Sequence, residues 1–158
     1  MTAPPSQAYE SLGTWDKPVV QVYSTVPDDV WHINRGITQW NKGEVVHLVR
    51  VYAPCEGCIT ISEAAQPLHD IGDDLWVGFS YPRVLDGTTT MGECEIVMNS
   101  DHVVQAPVPL ASATHELGHC LGLNHSNAKW SIMGEFAYGM IRPRNHDFRK
   151  LEALYADR

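Results

Sequence analysis

The stretch His115-Glu116-Leu117-Gly118-His119-Cys120-Leu121-Gly122-Leu123-Asn124-His125, followed by Ser131-Ile132-Met133, decides how this chain is read. Residues four apart share one face of a helix, so His115 and His119 can ligate one ion together. Glu116 is adjacent to His115 and need not be a ligand; its carboxylate can hold a water and serve as general base. The helix is expected to stop at Gly122, because glycine enters a left-handed C-terminal turn without steric cost. That turn brings the chain back so that His125 becomes the third ligand. Three protein ligands leave one position open, which is the arrangement of a catalytic zinc and not of a closed structural one. The bland alternative is a helix with two solvated histidines and a coincidental third. It leaves Gly122 and His125 without a purpose.

These residues resemble the metzincin zinc metallopeptidases, whose signature is H-E-x-x-H-x-x-G-x-x-H with a methionine turn downstream. By that resemblance Met133 is the turn methionine, an apolar thioether beneath the zinc ligands. The wording Gly118-His119-Cys120-Leu121-Gly122-Leu123-Asn124-His125, then Ser131-Ile132-Met133, is similar to the matrixin branch and particularly to its small bacterial members. The resemblance covers about residues 15 to 158. It implies an α+β metzincin fold with an α/β-type upper part. That fold has a twisted five-stranded mixed sheet with one antiparallel edge strand, three helices, and a zinc cleft between a larger N-terminal and a small C-terminal subdomain. The whole chain, 1–158, is then one catalytic domain: a flexible arm 1–14, an upper subdomain 15–125 and a lower subdomain 126–158.

Length and composition agree with one folded domain. At 158 residues, 44% apolar and 19% charged, the chain suits a single globular core. A formal charge of −8 argues against a nucleic-acid partner, and no apolar run approaches transmembrane length. A monomer acting on polypeptide is expected. The first ten residues lack the basic start and apolar core of a signal peptide. Either precursor segments lie outside this sequence or the protein leaves its cell by another route, such as lysis. Secreted matrixins commonly carry a propeptide whose cysteine caps the zinc, and no segment of that kind is read before the first strand.

Along the chain, Pro18 to Ser24 alternates and is β-branched, so it reads as a first strand. Pro27, Asp28 and Asp29 open a helix that buries Val30, Ile33, Ile37 and Trp40 and stops at Gly43. Val45 to Tyr52 and Cys58 to Ser62 are the second and third strands, and Glu63 to Asp74 is loop. Leu75 to Tyr81 is the fourth strand, ended by Pro82, and Cys94 to Asn99 the fifth. Leu110 to Leu121 is the helix of the histidine motif. Asp147 to Ala156, with Phe148, Leu151, Leu154 and Tyr155 at helical spacing, closes the chain.

The matrixin resemblance makes the fourth strand an edge over the cleft, where an extended peptide can pair with free backbone groups. Val77, Gly78, Phe79 and Ser80 are then the candidates for main-chain contact with substrate; an ordinary interior strand is the other reading. Phe136 and Tyr138 are candidates for the pocket wall beyond the scissile bond. Two departures from the family stand out. Glu135 occupies the place where some metzincins have a tyrosine, and Gly134-Glu135-Phe136-Ala137-Tyr138 replaces the usual proline-then-tyrosine wall.

Secondary ion sites are sparsely supplied. The loop before the fourth strand offers His69, with Asp70 nearby, too little for the second zinc of many animal matrixins. Asp70, Asp73, Asp74, Asp86, Glu93 and Glu95 offer oxygen donors of the kind calcium takes, though without calcium-loop spacing; a solvated acidic rim is the other reading. Cys55, Cys58, Cys94 and Cys120 allow three complete pairings. Disulfides suit an exported, extracellular protein better than a redox pair or metal half-site. In the matrixin strand order a 58–94 bridge competes with 55–58.

Function follows as metal-assisted hydrolysis of a peptide bond by a zinc-bound water, with Glu116 as general base. Two alternatives use the same residues: a hydrolase of cell-wall peptide cross-links, and a catalytically silent zinc-binding module. Retention of Glu116 speaks against the silent module.

Overall fold

The computed structural model describes residues 11–65, 77–102, 107–135 and 140–156. Its elements run β1 (Val19–Ser24), α1 (Asp28–Trp31), α2 (Ile33–Asn41), β2 (His47–Val51), β3 (Ile59–Ala64), β4 (Gly78–Val84), β5 (Met91–Asn99), a 3-10 turn (Ser100–His102), α3 (Val108–Cys120) and α4 (Asn145–Leu154). The strands form one open sheet in the order β2-β1-β3-β5-β4. All pairings are parallel except β4 with β5, which is antiparallel. The expected mixed sheet with its antiparallel edge is therefore present.

Helices α2 and α3 pack on each other, α2 against β2 and α3 against β4 and β5. Between them the core gathers Val20, Val22, Leu48, Ile59, Ile61, Ile96 and Met98 from the strands and Trp40, Leu117 and Leu121 from or beside the helices. Alternate strand residues face this layer, as the period of two requires.

Several boundaries differ from the sequence reading, each for a local reason. The first helix is not continuous. His32 takes a left-handed backbone at φ 55°, and the Asp28 carboxylate accepts hydrogen bonds from the Asn34 backbone N–H at 2.8 Å and side-chain amide at 3.1 Å. An acid that favours the start of one helix thus also serves the next, splitting the segment in two and leaving four helices among the described residues where three were expected. Pro82 does not end β4: it pairs with Cys94 inside the strand. Proline lacks an N–H, but an edge strand needs none on its open side. Residues 11–14 belong to the packed structure and not to a flexible arm. Leu12 donates to the Gly122 carbonyl at 3.2 Å, and Thr14 bridges to Thr90.

The cysteines pair as Cys55–Cys58 and Cys94–Cys120; the competing 58–94 bridge is not formed. Although Cys94 enters its ladder beside Ile59, its side chain faces α3 at the core, where Cys120 meets it. The Cys94–Cys120 bridge spans 26 residues and ties β5 to the C-terminal turn of α3. Closing a loop of that length removes about 3–4 kcal/mol of unfolded-state entropy. The Cys94→Ala/Cys120→Ala double variant should melt roughly 10 °C below the parent by circular dichroism. An unchanged midpoint would mean that the bridge does not constrain the chain.

Candidate metal centre

Helix α3 is nearly all buried and is fixed by bonds to its carbonyls. Trp40 Nε1 donates to Thr114 O at 2.7 Å, Trp15 Nε1 to Cys120 O at 2.7 Å, and the Tyr155 hydroxyl to Leu121 O at 2.8 Å. Carbonyls at the end of a helix lack intrahelical partners; the Trp15 indole and the Tyr155 phenol supply them at Cys120 and Leu121, while Trp40 ties the middle of the helix at Thr114. The helix ends at Cys120 and the chain leaves through Gly122, whose φ is 98° and where a Cβ would overlap the backbone carbonyl oxygen of Gly13. Both the backbone angle and the close approach require glycine.

The exit places His125 beside His115 and His119. Their ligand atoms lie within 4.8 Å of one another, the only such cluster among the described residues. His119 Nε2 is 3.0 Å and His125 Nε2 3.3 Å from His115 Nε2. His115 Nδ1–H donates to Ile132 O and His119 Nδ1–H to Leu123 O, each at 2.7 Å. A carbonyl only accepts, so both ring protons sit on Nδ1 and both Nε2 lone pairs point inward.

Lone pairs that close repel unless a cation lies between them. A proton is a poor candidate. Burial, with the neighbouring imidazoles adding to it, pushes His115 down to about 4 and His119 down to about 3, with the carbonyl bonds opposing. Tetrahedral zinc with nitrogens at about 2.0–2.1 Å sets its ligand atoms roughly 3.3 Å apart. The two separations from His115, 3.0 and 3.3 Å, are close to that value, and the donor set fits zinc. His125, unlike its buried partners, is exposed, which leaves one flank of the site open to solvent.

Glu116 is buried beside the ligands. Burial raises its carboxyl to about 7, against a hydrogen bond from the Ser80 hydroxyl that lowers it. Gly78 lies against Glu116 Cγ and Met98. Strand β4 is therefore the roof over Glu116, and Gly78 and Ser80 face the site while Phe79 and Tyr81 stack on each other, centroids 5.7 Å apart. Val77, the remaining candidate of that group, is half-buried and accepts a hydrogen bond from Asn99 N–H at 2.8 Å. Met133 is buried, with its sulfur in the space that a Cβ on Gly118 would need. Phe136, Tyr138, His69, Asp70, Asp73 and Asp74 lie outside the described residues. Of the remaining acids suggested for calcium, Glu93 and Glu95 are engaged by Arg83, at 2.8 and 3.8 Å.

The family model for matrixin matches residues 59–156, more than half of the chain, and the three-histidine cluster fits the metzincin zinc motif. The chain belongs to the matrixin family. No curated protein matches it. Membership in a family of zinc metallopeptidases supports that activity generally, and polypeptide as the substrate class.

Two residues of this matrixin site escaped the sequence reading. Gly118 reads as a spacer in the motif; what requires it is the approach of the distant Met133 sulfur and Trp40 ring, which no local rule reveals. Asp147 read as the opening of the last helix. It is buried and accepts bonds from the Ser131 hydroxyl, Ile132 N–H at 3.3 Å and Arg144 N–H at 2.8 Å. It thereby holds the segment whose Ile132 carbonyl orients His115, a supporting bond of the kind that fixes ligand tautomers.

The metal-free protein should show these burials in its pH dependence. His115 and His119 have folded pKa values below the ordinary 6.5. Their stabilising contribution is present above 6.5 and lost as pH falls toward 4. Glu116 is raised above its ordinary 4.5, so its contribution is present below 4.5 and lost as pH rises through 7. In chelator-treated protein Glu116→Gln should therefore add roughly 3 kcal/mol above pH 7 and almost nothing at pH 4. Thermal melts across pH check this. A difference independent of pH would contradict the burial of the carboxyl.

Proposed function

We propose that this chain is a zinc-dependent endopeptidase acting on extended polypeptide. His115, His119 and His125 hold the metal and Glu116 is the general base. The reading rests on one observation above all: two Nε2 lone pairs, with tautomers fixed from behind, close on a third imidazole beside a buried carboxylate. A zinc ion held there supplies Lewis-acid charge to a scissile carbonyl and makes water acidic near neutral pH.

The chain's own residues do the rest. Glu116 accepts a proton from the attacking water on its carboxylate and passes it to the departing amine. Ser80 holds that carboxylate in place by its hydroxyl. Strand β4 has no strand partner on its outer edge among the described residues, so Val77 to Ser80 offer backbone groups to a substrate added as a further strand. A segment added to an open edge must be extended, which favours unfolded stretches of polypeptide. Two disulfides suit work outside the cell, and no helix among the described residues is long and apolar enough to cross a membrane.

Digestion of casein and of purified peptidoglycan side by side, with and without a zinc chelator, tests this. Casein cleavage that stops on chelation and returns with zinc is expected. Release of peptidoglycan fragments alone, or no turnover of either substrate by zinc-loaded protein, would contradict it.

A further inference from the structure

Away from the histidines, a cavity of about 620 Å³ opens between the 126–133 loop and the first turns of α4, lined by Lys129, Trp130, Met140, Arg144, Asn145, His146 and Arg149. We propose that it is a subsite for carboxylate side chains, through which the protein engages an acidic segment of its polypeptide substrate. The identification of the occupant as substrate rests on the peptidase reading above; the binding itself does not.

Charge distribution is the first argument. Residues 1–125 carry five Lys and Arg against fifteen Asp and Glu, whereas residues 126–158 carry six against four. Three of those six cations line one cavity. Among the described residues none of Lys129, Arg144 and Arg149 is in ion-pair contact with a carboxylate; the Lys or Arg ion pairs found are those of Arg83. Grouped cations repel one another, and among the described residues the carboxylate next to them, Asp147, is buried and taken up by Ser131, Ile132 and the Arg144 backbone. An acidic segment supplies counter-charge, and the negative remainder of the surface steers such a segment toward this face. Arginine forks match carboxylates two bonds at a time, which gives direction as well as attraction.

Trp130 is the second argument. It is 60% exposed, and its backbone sits at φ 67°, a left-handed conformation that a bulky side chain rarely takes. The Lys129 ammonium lies over its ring, 5.4 Å from the centroid. Exposure and strain both disfavour this arrangement in the isolated chain, and such strain gathers where ligands are held. An indole standing beside three cations gives a peptide backbone a flat surface to lie on.

The loop is also held rigid. Ser126 N–H donates to Met133 O at 2.8 Å, Lys150 Nζ donates to the Ser126 hydroxyl at 3.0 Å, and Ser131 N–H closes on Ala128 O at 3.2 Å. Little ordering is left to be done on binding. Through Ile132 the same loop reaches the metal centre.

The test uses zinc-loaded full-length protein and a fluorescein-labelled peptide bearing a run of glutamates, against its all-glutamine counterpart. Fluorescence anisotropy should show the acidic peptide bound at least tenfold more tightly. Lys129→Gln and Arg149→Gln should each weaken it roughly tenfold, while cleavage of a neutral reference peptide stays at the parental rate. Charge-preserving Arg149→Lys separates fork geometry from charge: a partial loss is expected. Equal binding of the two peptides, acidic binding unaffected by either glutamine change, or equal competition by polyphosphate and the acidic peptide would overturn the proposal. If acidic peptide binds as described but no peptide is cleaved, the subsite stands and the peptidase reading fails.

Discussion

Glu116→Gln is expected to keep its zinc and to lose turnover by a factor of about 10²–10⁴, the usual worth of a positioned proton-transfer group. The substitution leaves shape and volume unchanged, and the amide oxygen can still accept from the Ser80 hydroxyl that meets the carboxylate in the parent. What disappears is the ability to take a proton from water. Glu116 is not one of the three grouped ligand residues, so metal content should not move. The fold should not suffer either, because a neutral amide tolerates burial better than a carboxylate whose pKa burial has already raised to about 7. Metal analysis and peptide turnover on the same preparation separate the possibilities. Zinc lost together with activity would make Glu116 part of the metal shell; activity retained would remove it from the chemistry.

Gly122→Ala should cost about 3 kcal/mol or more of stability and weaken zinc binding by roughly 10–100-fold. Two penalties coincide there. The φ of 98° is disfavoured for any L side chain, and the new Cβ would run into the Gly13 carbonyl oxygen, which belongs to backbone and cannot swing aside. Relief requires the turn to open. The turn carries the Leu123 carbonyl that fixes His119 and sets the path to His125. Gly118→Ala makes a useful contrast, since its Cβ would press mainly on the end of the Met133 side chain, which can rotate, and on the Trp40 ring. It should be the milder of the two. Melting curves and competition with a fluorescent zinc chelator give both quantities. A Gly122→Ala protein of parental stability and affinity would mean that the helix exit does not set the third histidine.

The motif was legible because its chemistry is local: helical spacing places His115 and His119, and a single glycine turn places His125. The sheet was legible for the same reason, since β-branched alternation marks β1, β2, β3 and β5 within a few residues. What sequence could not supply depends on distant contacts. The split at His32 follows from a carboxylate shared between two helices. The run of β4 through Pro82 follows from its place at the edge of the sheet. The Cys94–Cys120 bridge follows from which face of β5 meets α3. Asp147 supports His115 only through a loop folded beneath it, and the cations of the lower cavity come together only when α4 docks against the 126–133 segment.

Zinc K-edge X-ray absorption on purified protein addresses the metal centre most directly. One zinc per chain is predicted, with three imidazole nitrogens at about 2.0–2.1 Å and one oxygen from solvent, and His125→Ala should reduce the nitrogen count. Protein that carries no transition metal, or a shell that keeps all three nitrogens after His125 is removed, would contradict the account.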